Sequence, residues 1–293
     1  MSPFQWAFMR RANNRLAVLA YHGVDDLDTF RRHLDFLEER SRPVSLEELL
    51  SALREGDALP PGSVLLTFDD GERSVLEAAA PELRARGIPS VVFVVVGAIG
   101  TDLPFWWVEA EALVNRATQN RQSETGPSLD QLLRKMKRVP DEERLAMLDR
   151  LRGEAPGVAV RTAQMTPEEL LELEASGMAV ASHSLTHPCL SRCAPPKMTR
   201  EIDESTRVLN DVIGHHPHAF AYPDGDCSDE IRSVVADAGY QAAFLFDHRL
   251  SARDVSDPLR ISRVRVNSTT TLDRLATIVS GLHPAIHHAR GRN

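Results

Sequence analysis

From residue 16 to its last helical segment the chain alternates short apolar runs with capped amphipathic segments, and this alternation restricts its fold more than any other feature. "LAVLAYHGV" (16–24) reads as a strand and "DTFRRHLDFLEERS", from Asp28, as a helix. "SLEELLSALREG" carries Ser45 and Glu48 in capping-box positions and Gly56 near its end. The strand "SVLLTF", a helix from Val75 closed by Gly87, and the strand "PSVVFVVV" follow. After an interruption the pattern resumes. Thr166, Pro167 and Glu169 open a helix that Gly177 ends, and "MAVASH" is the next strand. A helix from Thr199 to Ile213 stops at Gly214 before the strand "HAFAY". Ser228 caps "DEIRSVVADA", Gly239 closes it, and "YQAAFLF", "ISRVRV" and the helix "LDRLATIVSGL" complete the series. Repeated β–α units place a parallel sheet inside a layer of helices, open and doubly wound or closed as a barrel. About seven strands in 293 residues favour the barrel. In either form, chemistry belongs at the C-terminal ends of the strands.

The interruption, about 97–163, holds "LPFWWVEAEALV", a polar gap (118–128) and the charged segment "LDQLLRKMKRVPDEERLAMLDRLRG". It reads as a helical insertion over one face of a single domain spanning 1–293, too short and too charged to bury much core alone. Phe105, Trp106 and Trp107 read as its anchor to the barrel, and "RKMKR" as a solvated helix face. A net charge of -8 and a pI near 5.8, with no dominant basic stretch, exclude nucleic acid as the natural partner. Three cysteines (Cys189, Cys193, Cys227) make no disulfide framework and point to a reducing compartment, with Cys189 and Cys193 read as small packing residues. The N-terminus lacks a signal-peptide pattern and no apolar run reaches membrane-spanning length, so the expected location is cytoplasmic. Phe4, Trp6, Phe8 and Met9, followed by Arg10 and Arg11, form a patch suited to peripheral membrane contact or to packing on the domain; the second is the expectation.

Three motifs stand at strand ends. In "SVLLTFDDGERS" (63–74) an apolar run ends in two adjacent acids, which repel each other and suit a strand poorly. An Asp-Gly turn explains them; so does a metal ligand beside a general base. In "ASHSLTHPCLS" (181–191) His183 and His187 are four apart, so one short turn can aim both imidazoles at one point. Two neutral imidazoles and a carboxylate leave coordination positions open, as a hydrolytic metal requires. "FAYPDGDCS" (220–228) is a strand running into a Pro-Asp-Gly turn. His22, in "YHGV", ends the first strand.

"TFDDG", "HSLTHP" and "FAYPDG", in this order and separation, resemble the polysaccharide deacetylase family, the NodB-homology domain of carbohydrate esterase family four, over about residues 16–266. The first strand "YHGV" and third motif "FAYPDG" resemble a variant with YHxV and FAYPxG. The resemblance implies a distorted (β/α)7 barrel. Asp69 would be the general base, and Asp70, His183 and His187 the ligands of one divalent metal, usually zinc. The metal would absorb the charge of Asp70 and acidify a water, whose proton Asp69 would take. Tyr222, Pro223, Asp224 and Gly225 would form the substrate-facing turn, with the Asp224 N–H holding the oxyanion.

Two departures stand out. The usual motif "RxPYG" has an arginine that orients the base, where this chain has Ala221. Arg263 of "RISRVRV" is the candidate replacement, against a surface ion pair on an edge strand, its alternation with Arg265 placing both on one face. The family's late catalytic histidine has no match, since His283 of "GLHP" follows the last helix; His22 is better placed to touch substrate or base, its alternative a buried structural histidine. Glu72 adds negative charge near the metal or begins the next helix. The expected activity is metal-dependent removal of N-acetyl groups from amino sugars of a polysaccharide or glycolipid precursor. Deformylation or cyclic-amide hydrolysis at the same site, and a non-catalytic glycan-binding module that keeps the metal, are the alternatives.

Overall fold

Strand β1 (Arg15–Tyr21) lies within a curled, mostly parallel sheet, and its register against β3 (Ser63–Phe68) runs from Ala17 opposite Val64 to Tyr21 opposite Phe68. The structure, a computed structural model, describes residues 13–120, 128–283 and 285. The aromatic patch expected at 4–11 and most of the polar gap lie outside them. Beyond β3 the sheet continues through β4 (Ser90–Val94), β5 (Met178–Ser182), β6 (Ala219–Ala221) and β7 (Ala242–Phe244), all parallel. Three pieces are shorter: β2 (Arg42–Pro43) pairs with β3, β8 (Ser251–Ala252) runs antiparallel to the start of β1, and β9 (Val264–Arg265) pairs parallel with β1.

The far edges of the sheet are joined by one segment. Phe244 of β7 bridges Ile261, and three residues on Val264 pairs with Leu19 of β1. "ISRVRV" is therefore a strap that closes a distorted barrel, not a full strand. Val18, Leu65, Val91, Phe93 and Phe244 fill the interior, while Leu19, Leu66, Val92 and Val180 face the helices. This burial on both faces is what a parallel sheet demands, and it is why the strand sequences read as continuous apolar runs.

The helices between the strands are α1 (Leu27–Arg40), α2 (Leu46–Glu55), α3 (Ala80–Arg86), then α4 (Trp106–Asn120), α5 (Leu129–Met136) and α6 (Asp141–Glu154) of the insertion, α7 (Pro167–Ala175), α8 (Pro195–Ile213), α9 (Asp229–Asp237) and α10 (Leu272–Val279). Capping boxes form at Ser45 with Glu48 and at Thr166 with Glu169, as the sequence indicates. Helix α8 begins at Pro195, four residues before the expected Thr199, because consecutive prolines fit a first turn whose N–H groups have no partner. A π-turn, Val75–Ala79, precedes α3.

The insertion buries more than its charge suggests. Trp106, Ala110, Leu113, Met136, Met147 and Leu148 form a small apolar cluster of their own. Its seam with the barrel is polar: buried Asp141 accepts from Arg144 (2.6 and 2.8 Å) and from Lys197 of α8, and the Arg144 guanidinium lies 4.9 Å from the Trp106 ring.

Candidate metal and catalytic centre

The first motif works through its backbone. Asp69 extends the β3 ladder, its N–H donating to the Tyr21 carbonyl (2.9 Å), and the chain then turns at Asp70 (φ 70°) and Gly71 (φ 79°). A Cβ on Gly71 would stand 3.0 Å from Val94, so this tight turn needs glycine. The second motif continues β5, with the His183 N–H donating to the Val94 carbonyl (2.9 Å), and enters the left-handed region at Ser184 (φ 65°) and His187 (φ 56°). Asp224 of the third motif is also left-handed (φ 55°). Four of the five non-glycine residues with positive φ among the described residues thus belong to these motifs. Such strain persists where surrounding contacts over-determine a functional geometry. Here the contacts are visible. Buried Glu201 of α8 accepts from the Thr186 N–H (2.8 Å) and hydroxyl (2.6 Å), and the Trp106 indole donates to the His187 carbonyl (3.1 Å). The Trp107 ring packs edgewise on the His187 ring at 4.7 Å.

Asp70, His183 and His187 converge. Asp70 Oδ1 lies 3.6 Å from His183 Nε2 and 3.5 Å from His187 Nε2, and all three residues are buried. Ligands about 2.0 Å from a tetrahedral zinc stand roughly 3.3 Å apart, so the spacing fits that ion. The chemistry of the donors fits as well. His183 Nδ1 meets the Ala221 carbonyl at 2.8 Å, which fixes that nitrogen as the donor and leaves Nε2 a lone pair toward Asp70. Asp70 Oδ1 is buried with no hydrogen-bond partner. Burial, then the carboxylates of Asp69, Glu72 and Asp224, push the Asp70 carboxyl well above its ordinary range. Burial lowers His183, and burial with its neighbour His183 lowers His187 to about 3, so both imidazoles are neutral. A dication would satisfy all three groups.

Asp69 lies beside this cluster, its Oδ2 3.9 Å from His183 Nε2, and has the opposite electrostatics. Arg263, fully buried, grips it with a two-pronged ion pair of 2.6 and 2.8 Å. The guanidinium also donates to the Leu245 carbonyl (2.8 Å) and the Thr67 hydroxyl (3.2 Å), and lies 5.3 Å from the Phe93 ring and 5.8 Å from the Phe246 ring. Burial raises Asp69, but Arg263 first and then His183 outweigh it and hold the carboxyl at about 2. The surface-ion-pair alternative for Arg263 falls, while Arg265 is exposed and bonds Asn267 (3.3 Å). His22 is half-buried with its ring edge on Phe246 (6.0 Å), and burial depresses it to about 4 even though Asp69 pulls the other way.

The third motif needs correction in part. Tyr222 is fully buried and its hydroxyl donates to the Leu259 carbonyl (2.9 Å), and Pro223 is buried too. These side chains build the turn and offer nothing to a substrate, so only Asp224 and Gly225 remain at its open edge. A Cβ on Gly225 would lie 2.6 Å from the Phe246 nitrogen. The solvated reading of "RKMKR" also fails at one residue: Lys137 reaches across from the insertion to pair with Asp224. Glu72 sits beside Gly23, and burial followed by Asp25 raises its carboxyl. Among the described residues no second cluster of metal-ligating side chains forms, and Cys189 and Cys193 are free thiols. No helix among them is long and apolar enough to cross a membrane.

Residues 56–243 match the family model described as polysaccharide deacetylase. The chain is 23% identical over 285 residues to the poly-beta-1,6-N-acetyl-D-glucosamine N-deacetylase of Escherichia coli K12, a match covering 90% of this chain and 38% of that protein. It is 30% identical over 73 residues to chitin deacetylase 1 of Cryptococcus neoformans, covering 25% of this chain and 16% of that one. The chain therefore spans well under two thirds of the length of both relatives. The Streptococcus pyogenes deacetylase PplD, solved in complex with acetate, has the same fold, with a TM-score of 0.63 at 18% identity over 90% of this chain and 98% of PplD.

Proposed function

The chain belongs to the polysaccharide deacetylase family, and from that premise we propose that it hydrolyses the N-acetyl group of an amino sugar in a polysaccharide or its precursor. The observation that carries this reading is Asp69, an ionised carboxylate outside the three-donor cluster yet 3.9 Å from one of its imidazoles. A binding module has no use for that residue or for the buried arginine that holds it. A divalent metal, zinc by the donor set, held by Asp70, His183 and His187 would polarise the acetamide carbonyl and activate the attacking water.

The chain's own residues supply the rest. Asp69 accepts the proton of the attacking water; each of its oxygens keeps a lone pair beyond the one committed to Arg263. Arg263 orients that carboxylate and keeps it ionised, the role that the family's missing arginine would have had at Ala221. The N–H of Asp224 is the donor assigned to the oxyanion. The water oxygen bonds to the acetyl carbon, the C–N bond breaks, and the amine leaves with a proton as acetate forms. His22, neutral and electrostatically coupled to Asp69 and His183, is the residue assigned to take that proton from Asp69 and pass it to the amine.

The relationship to the E. coli deacetylase supports β-1,6-linked N-acetylglucosamine as one substrate to try, and the match to chitin deacetylase 1 supports chitooligosaccharides. The test is acetate release from both, and from N-acetylated sugar nucleotides, by zinc-loaded protein and by Asp69→Asn. Release that depends on Asp69 is the expected result. Release of formate from formamide substrates with none of acetate would replace this reading with the deformylase.

A further inference from the structure

Asp224 adds a second carboxylate at the edge of the Asp70–His183–His187 cluster, and its direction is set from outside the barrel. The turn that carries it is closely packed. Asp224 is left-handed, and the next residue packs its Cα against the backbone of Phe246. Both carboxylate oxygens are committed. Oδ1 pairs with the Lys137 ammonium, which the insertion presents from the C-terminal cap of α5, and Oδ2 accepts from the Cys189 thiol at 3.4 Å. The ion pair is half-open to solvent, with side-chain exposures of 41% and 28%. Asp224 is also close enough to act electrostatically on Asp70, His183 and His187.

We propose that Lys137 is a positioning residue: by pairing with Asp224 it keeps this carboxylate from closing the side of the metal cluster that a substrate must reach. Three protein ligands leave a catalytic site open, whereas a fourth makes it a closed, structural one. Released from Lys137, Asp224 is an anionic oxygen donor beside a dication, and turning inward gives the ion the fourth ligand that the open site withholds. The inference rests on the metal-dependent deacetylase reading and assigns the insertion a part in it, namely to hold the reaction centre in its open form.

The experiment compares Lys137→Ala, Lys137→Arg and the double variant Lys137→Ala with Asp224→Asn, each checked for native circular dichroism. Zinc affinity is read by chelator competition, coordination by the visible spectrum of the cobalt-loaded protein, and turnover by acetate release. Lys137→Ala is expected to bind zinc about tenfold more tightly, to change its cobalt spectrum, and to lose about tenfold or more in kcat with little change in KM. Adding Asp224→Asn reverses the gain in affinity and the spectral change and returns part of the turnover, because an amide is a poorer ligand. Lys137→Arg, which keeps the ion pair, keeps the wild-type spectrum. A Lys137→Ala protein with unchanged zinc affinity and cobalt spectrum overturns the proposal. So does a gain in affinity with no spectral change, which would make Lys137 only a distant charge. A wild-type protein that releases no acetate from any substrate would sink the functional reading instead, and the zinc and cobalt measurements would still decide the role of Lys137.

Discussion

Asp69 and Asp70 are neighbours in the chain with opposite electrostatic surroundings, and their pH dependences run in opposite directions. The folded value of Asp69, about 2, lies below its ordinary 3.8. Its pairing with Arg263 therefore stabilises the fold fully above pH 4 or so, and that contribution is lost as pH falls toward 2. Removing one partner of such a buried pair leaves an uncompensated charge, so Arg263→Ala should cost about 3–5 kcal/mol in urea unfolding at pH 7. Asp70 is shifted upward, so the metal-free fold favours its protonated form, and stability is lost as pH rises from 3.8 through the raised value. Bound zinc removes this penalty. Zinc at about 100 times its Kd should stabilise the protein by about 2.7 kcal/mol. At one fixed zinc concentration, the rise in Tm should be larger at pH 7 than at pH 5, where the protonated Asp70 weakens Kd, and absent in Asp70→Asn. Equal zinc shifts at both pH values would contradict this account of Asp70. Both acids were legible in the sequence because they follow an apolar run directly, and Arg263 because the motif lacked an arginine elsewhere. Tyr222 was misread because a strand's last residue alternates between core and mouth, and only the segment leading into the strap, which carries Leu259, decides which it faces.

At the scale of elements, helix α7 shows how one residue can serve two purposes. Its Thr166–Glu169 capping box closes the first turn, and the same Glu169 carboxylate takes a two-pronged bond from Arg73 (2.8 and 3.0 Å), just past the Asp70 turn. Thr166→Ala removes one cap and should cost about 1 kcal/mol. Glu169→Ala removes the reciprocal cap and the link to Arg73 together and should cost more; a smaller loss in thermal unfolding would show that link to be idle. The capping signals were readable because they are local, spanning three residues. The early start of α8 was hidden behind two prolines that fit a first turn as readily as a loop. Glu201 shows a further limit. It lies on the buried face of α8, where helical periodicity alone gives no reason for a charge, and its partner Thr186 comes from another element.

For the molecule as a whole, the sequence conveyed a barrel with a helical insertion because β–α alternation dictates a parallel sheet, and the three motifs mark the strand ends where chemistry collects. It did not convey closure, since the strap at 261–265 pairs only a few residues on each side. Nor did it convey the seam of the insertion, where Lys137 finds Asp224 and Trp106 finds the His187 carbonyl across more than eighty residues. Such contacts depend on how helices dock, which no local pattern encodes. The central claim is that this face holds one catalytic metal served by a separate base. The measurement that tests it most directly is metal content per chain together with acetate release, for the wild type, Asp70→Asn and Asp69→Asn. The account predicts one zinc in the wild type and in Asp69→Asn, and none in Asp70→Asn. It also predicts acetate release reduced by about a hundredfold or more in Asp69→Asn despite its bound metal. An Asp69→Asn protein that binds zinc and releases acetate at the wild-type rate would contradict it.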